Sequence, residues 1–176
     1  MKVKSIFHGR WKQLNDIEQQ LFRDAVIWFT ANKLTQDDTR LEVHFKTVVF
    51  NKNLGHVSGL LLDRFDRRGR VLRVYVSREL KNKDLTGYQP HAVYLTTLAH
   101  ELVHVKQWQE RRLFRAAGEL LYTPDHITYC KADSIPYSKQ PWEKEALDLQ
   151  EIWVKEFIFD TLSKRLEPYE NDVHTT

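Results

Sequence analysis

The stretch Leu98-Ala-His-Glu-Leu-Val-His-Val-Lys-Gln107 decides how the chain is read. It lies in a helical pattern that opens at Pro90, a residue tolerated in a first helical turn, and runs to about Phe114, with Gly118 just beyond. Leu95, Leu98, Ala99, Leu102 and Val105 form one apolar stripe, while Thr97, His100 and His104 lie on roughly the opposite side, flanked by Val93, Val103 and Trp108. A helix apolar round most of its circumference belongs in an interior. His100 and His104 sit one turn apart, so their imidazoles converge on one point, with Glu101 beside it. Buried imidazoles need partners, and a metal ion supplies one to both while the adjacent carboxylate serves as a base. With eight histidines in 176 residues, H-E-x-x-H is expected on the order of 0.02 times in a shuffled chain, so chance surface histidines are the poorer reading.

A catalytic zinc takes three protein ligands. Gln107 and Glu110 occupy the positions where H-E-x-x-H-x-x-G-x-x-H requires Gly and His, so that form is absent. The histidines further on are His126 and His174, the latter in a polar tail. A carboxylate fits better. Pro141-Trp-Glu-Lys-Glu-Ala-Leu-Asp148 opens a last helix. At about 100° per residue, Glu145 falls in the middle of an arc with Trp142, Ala146, Leu149, Ile152, Trp153 and Phe159, and Glu143 at its edge. An ionised carboxylate on an apolar face calls for a counter-charge. Glu145 is therefore the expected third ligand, with Glu143 and His126 as the alternatives. Asp148 is placed to orient a histidine from behind, and Glu156 to pair with a basic group or the backbone.

Outward from these helices, Asn15 to Lys33 reads as a first helix, capped by Asn15 or Asp16. Leu41 to Phe50 alternates as a strand. Val57–Phe65 and Arg70–Ser77 read as two more, joined through Asp66-Arg-Arg-Gly69 as a hairpin. Arg70–Ser77 has one polar face, which suggests a sheet edge able to pair with an extended substrate. Asn82–Gln89 and Tyr122–Gln140 read as loops. The expected organisation is one domain over residues 1–166 and a polar tail over 167–176.

Hydrophobic residues make up 41% and charged residues 29%, enough apolar matter for a core and inconsistent with disorder. A net charge of +3 is too small to argue for nucleic acid. No segment approaches the roughly 18 apolar residues that span a bilayer, and the N-terminus has no apolar signal region. Cys130 is the only cysteine, which excludes an intrachain disulfide and a cysteine-rich zinc site and fits a reducing compartment. The basic run Arg64–Lys83 reads better as a solvated hairpin and loop than as a phosphate contact. Tyr129 and Tyr137 are oxyanion-donor candidates, though packed loop tyrosines are commoner. His8, His44, His56 and His91 have no paired spacing and read as ordinary residues.

Leu98–Gln107, followed by Pro141-Trp-Glu-Lys-Glu-Ala146, resembles the small gluzincin-type zinc metallopeptidases, and more narrowly the SprT-like and minigluzincin-like proteins of bacteria and their phages. The likeness covers roughly residues 15–165. It implies Zn²⁺ held by His100, His104 and a downstream Glu, with Glu101 as catalytic base. SprT proper is expected to use a third histidine after its motif, and none stands here in a comparable helical position, so the resemblance lends a DNA-linked substrate little force. The expected fold is α+β and zincin-like: an N-terminal helix, a small three-stranded twisted sheet, the H-E-x-x-H helix, and a C-terminal helix bearing the glutamate. The expected function is hydrolysis of a peptide or protein substrate in the cytoplasm, that of the host if phage-encoded. An inactive metal-stabilised binding module and a DNA-associated protease are the alternatives.

Overall fold

Leu41, Val43 and Phe45 stand beside Leu72, Val74 and Val76 across two parallel strands of the computed structural model. All six side chains are completely buried. This face is the floor of the core, and each side chain contributes on the order of 1.5–3 kcal/mol. The polar residues between them meet each other on the other face. Arg73 Nε donates to Glu42 Oε2 at 2.7 Å, and the His44 ring lies 5.0 Å from that of Tyr75. The structure describes residues 1–45, 59–66, 69–76, 90–116, 119–125, 130–131 and 134–170.

The elements in chain order are β1 (Lys2–Phe7), α1 (Asp16–Lys33), β2 (Arg40–Phe45), β3 (Gly59–Asp66), β4 (Gly69–Val76), α2 (Pro90–Gln109), β5 (Leu113–Ala116), β6 (Glu119–Tyr122), β7 (Cys130–Lys131) and α3 (Pro141–Glu170). The class is α+β, as expected. The main sheet has four strands rather than three, in the order β1-β2-β4-β3, with β1, β2 and β4 parallel and β3 antiparallel to β4. The added strand is β1, where Ser5 interrupts the apolar alternation of Val3 and Phe7. The β3–β4 hairpin forms as read; its turn residues 67–68, and residues 46–50, 57–58 and Ser77 of the expected strands, lie outside the described residues.

The expectation that Arg70–Ser77 forms an edge is corrected. β4 lies between β2 and β3, and the sheet edges among the described residues are β1 and β3. The polar residues of β4 face cross-strand partners on β2, which gives a paired strand the look of an exposed one.

Asn15 caps α1 through a reciprocal pair of bonds: Glu18 N–H donates to Asn15 Oδ1 at 2.8 Å, and Asn15 N–H to Glu18 Oε2 at 3.0 Å. The helix buries Phe22, Ala25, Val26 and Phe29 against the sheet, where Trp11, Phe22 and Phe45 pack ring to ring. Trp28 Nε1 donates to Asp160 Oδ2 at 2.6 Å, and Lys33 pairs with Glu156, so α1 is tied to α3.

α2 stops at Gln109, short of the expected Phe114. Arg111 takes a left-handed φ of 56°; its N–H donates to Trp108 O at 3.2 Å, and that of Arg112 to Gln107 O at 2.9 Å. These two bonds make a Schellman turn, here built on arginine rather than glycine. The chain then reverses into a second antiparallel sheet, β5-β6-β7, within what reads in sequence as helix end and loop; Gly118 lies outside the described residues. Trp108, Leu113, Tyr122 and Trp142 form a small core that locks the first turn of α3 against the end of α2. α3 runs on to Glu170, past the expected boundary at Leu166, and residues 171–176 lie outside the described residues. No helix among the described residues is long and apolar enough to cross a membrane.

Candidate metal centre

α2 is interior, as its composition predicts: Leu98, Ala99, Leu102, Val103 and Val105 are fully buried. That burial fixes the rotation of the helix and aims His100 and His104 at the first turn of α3. Their rings lie 4.9 Å apart and nearly perpendicular. Glu143 meets both: Oε2 is 3.2 Å from His100 Nε2, and Oε1 is 3.4 Å from His104 Nε2. One ligand atom from each of the three residues lies within 4.8 Å of the others, a group that could hold a metal ion. The three side chains are 13%, 10% and 14% exposed, largely buried but not sealed from solvent.

Glu145, the expected third ligand, is not brought into this group; Glu143, one of the two alternatives, is. Its carboxylate receives a two-pronged bond from Arg112, from Nη1 at 2.6 Å and Nη2 at 2.8 Å, and a third from Gln107 Nε2 at 3.0 Å. The reason is helical phase. The inward face of α3 carries Trp142, Ala146, Trp153 and Phe157, all buried, whereas Ile152 and Phe159 are 49% and 74% exposed. At about 100° per residue Glu143 falls inside the true arc, roughly 60° from Ala146, and Glu145 falls about 100° away on the other side. Asp148 is exposed, and the side chain behind His100 is Gln150, with Oε1 3.1 Å from Nδ1. Behind His104 is Gln107, with Oε1 2.9 Å from Nδ1. Sequence reasoning about charged and ring side chains passes over both glutamines; their spacing from His104 and Glu143 is the only signal. His126 and Tyr129 lie outside the described residues.

The electrostatics suit a cation. Burial raises the Glu101 carboxyl above its ordinary range, against the pull of His104 and His100. Burial pushes His104 down, but the Glu143 hydrogen bond, the charges of Glu101 and Glu143, and Gln107 raise it to about 9. Burial likewise pushes Glu143 up, yet bonds from both histidines and Tyr137 hold it well below the usual carboxylate range. Two acidic side chains thus share a largely buried site with two imidazoles, and burial leaves their charge short of compensation. A dication answers the same imbalance, and a two-nitrogen, one-oxygen donor set is one that zinc accepts. The Tyr137 hydroxyl donates to Glu143 Oε2 at 2.8 Å while the residue is 65% exposed. Cys130 is free and half-buried and is not a member of the group.

Of the basic run, residues 67–68 and 77–83 lie outside the described residues, and Arg73 is engaged by Glu42. His8 and His44 touch each other, Nε2 to Nδ1, at 3.2 Å, and His91 meets Glu18 at 2.9 Å. No family model matches the chain, and no curated protein or solved structure matches it.

Proposed function

We propose that the chain is a zinc-dependent peptidase whose metal is held by His100, His104 and Glu143. The observation that carries the reading is the convergence of these three donors from two helices, with the buried carboxyl of Glu101 next to them in sequence and in charge. When bound, zinc polarises a carbonyl and lowers the pKa of a water to ~7. The chain's own residues supply the rest. Glu101, made more basic by burial, takes the proton of the attacking water and delivers it to the leaving amine nitrogen. Tyr137 is exposed beside Glu143, and its hydroxyl, on giving up its bond to Glu143 Oε2, is a candidate donor to a substrate oxygen. β3, which runs beside α2 and is an edge strand among the described residues, offers backbone groups to an extended peptide.

The test separates an enzyme from a metal-stabilised module. Wild type and Glu101→Gln are incubated with an unfolded protein or a peptide library, and products are read by mass spectrometry. Zinc-dependent cleavage by wild type, reduced ~10²–10⁴-fold in the variant while zinc is retained, supports the reading. Equal cleavage by both, or none by zinc-loaded wild type across the library, contradicts it.

A further inference from the structure

Gln107 is completely buried between the two helices that bear the ligands, and its amide orientation can be read from its neighbours. Nε2 lies 3.0 Å from the Trp142 carbonyl oxygen and 3.0 Å from Glu145 Oε2. A peptide carbonyl only accepts, and a carboxylate clasped by both arms of Arg112 is in its accepting form. The amide nitrogen must therefore face α3, which turns Oε1 toward His104 Nδ1, 2.9 Å away. An amide oxygen has nothing to donate, so the hydrogen in that bond is on Nδ1. The ring nitrogen left for a ligand is Nε2, the one facing Glu143.

We infer that Arg112, Glu145 and Gln107 form a positioning chain that fixes His104 with its proton on Nδ1 and presents Nε2 to the metal. The inference rests on the metal reading above and gives Glu145 a role one side chain removed from ligation. The chain starts in the turn after α2, where left-handed Arg111 reverses the backbone and swings Arg112 back over α3. Gln107 grips the backbone of Trp142 and the side chain of Glu145, the residues on either side of the Glu143 turn. The same amide that sets the tautomer thus also sets the spacing between the α2 ligands and the α3 ligand. His100 has a shorter version of the device in Gln150, supplied by α3 itself.

The test uses the full chain with ¹⁵N-labelled histidine, metal-free and zinc-loaded, with zinc affinity measured by chelator competition. Wild type is expected to show a slowly exchanging His104 Nδ1 proton in both forms. Gln107→Leu is expected to lose that protection and to bind zinc roughly 10–100-fold more weakly. The exchange variant Gln107→Glu with Glu145→Gln returns an acceptor to His104 and a donor to its partner; it is expected to restore the protected proton and to bind zinc more tightly than Gln107→Leu. Should Gln107→Leu not fold, the comparison is made between the exchange variant and Gln107→Glu alone, whose two facing carboxylates should disrupt the chain. A wild-type His104 protonated at Nε2 alone, or folded variants with unchanged Nδ1 protection and unchanged affinity, overturns the inference. A protected Nδ1 proton in a wild type that takes up no zinc supports the chain and overturns the metal reading instead.

Discussion

Glu143 Oε2 stands 3.2 Å from His100 Nε2 across a sequence separation of 43 residues. The other oxygen of the same carboxylate is 3.4 Å from His104 Nε2, so a single side chain at the start of α3 spans both imidazoles of α2. Glu145, two residues on, spans neither because Arg112 and Gln107 occupy it. Glu143→Gln is accordingly expected to weaken zinc binding by more than ~100-fold, beyond the range for partners that act through a ligand, and Glu145→Gln to stay within roughly 10–100-fold. Chelator competition on the two variants checks this; the reverse order would return the third ligand to Glu145.

The pair of Glu143 and His104 contributes to the pH dependence of the metal-free protein's stability. His104 is raised from 6.5 to about 9, so its contribution to stability is complete below 6.5 and is lost as pH rises through about 9. Glu143 is lowered from 4.5, so its contribution is complete above 4.5 and is lost as pH falls toward its folded value. Urea unfolding of metal-free protein should give greatest stability from this pair between 4.5 and 6.5. Glu143→Gln should flatten the alkaline decline. Zinc must displace the His104 proton, so affinity should rise with pH up to about 9 with proton release. A zinc affinity indifferent to pH across that range would remove His104 from the ligand set.

Two substitutions separate fold from site. Asn15→Ala removes the α1 cap far from the metal group and should cost ~1 kcal/mol with zinc affinity unchanged. Ala146 is fully buried on the inward face of α3, one turn beyond Glu143. Ala146→Leu should cost ~1–3 kcal/mol through overpacking and also weaken zinc binding, because it pushes the two ligand-bearing helices apart. Denaturant melts and metal titration of both variants read the two effects. Equal loss of zinc affinity in both would mean that metal binding follows global stability rather than helix spacing.

The features legible in sequence are those whose cause is local. Asn15 or Asp16 marks the start of α1, the alternation around Leu41 and Leu72 marks the strands, and the interval between His100 and His104 places two donors on one helix face. The misreadings involve which of several faces a neighbour covers. Ile152 and Phe159 are apolar yet exposed, and counting them in the buried arc rotates it toward Glu145. Leu113 and Phe114 extend the apolar pattern of α2, but the backbone has already reversed at Arg111, a conformation that few arginines adopt. β1 is supplied to the sheet by pairing with β2, not by a strong strand pattern of its own. Gln107 and Gln150 carry no charge or ring to draw notice, and only the meeting of α2 with α3 shows what their amides hold.

All of these outcomes rest on His100, His104 and Glu143 together holding one zinc ion. Anomalous diffraction at the zinc edge from crystals of the zinc-loaded protein tests it most directly. One strong peak per chain is expected, bonded to Nε2 of both histidines at about 2.0–2.1 Å and to a Glu143 oxygen at about 2.0–2.2 Å, with Glu145 still clasped by Arg112. A peak ligated by Glu145 or His126 in place of Glu143, a histidine bound through Nδ1, or no peak between α2 and α3 would contradict it.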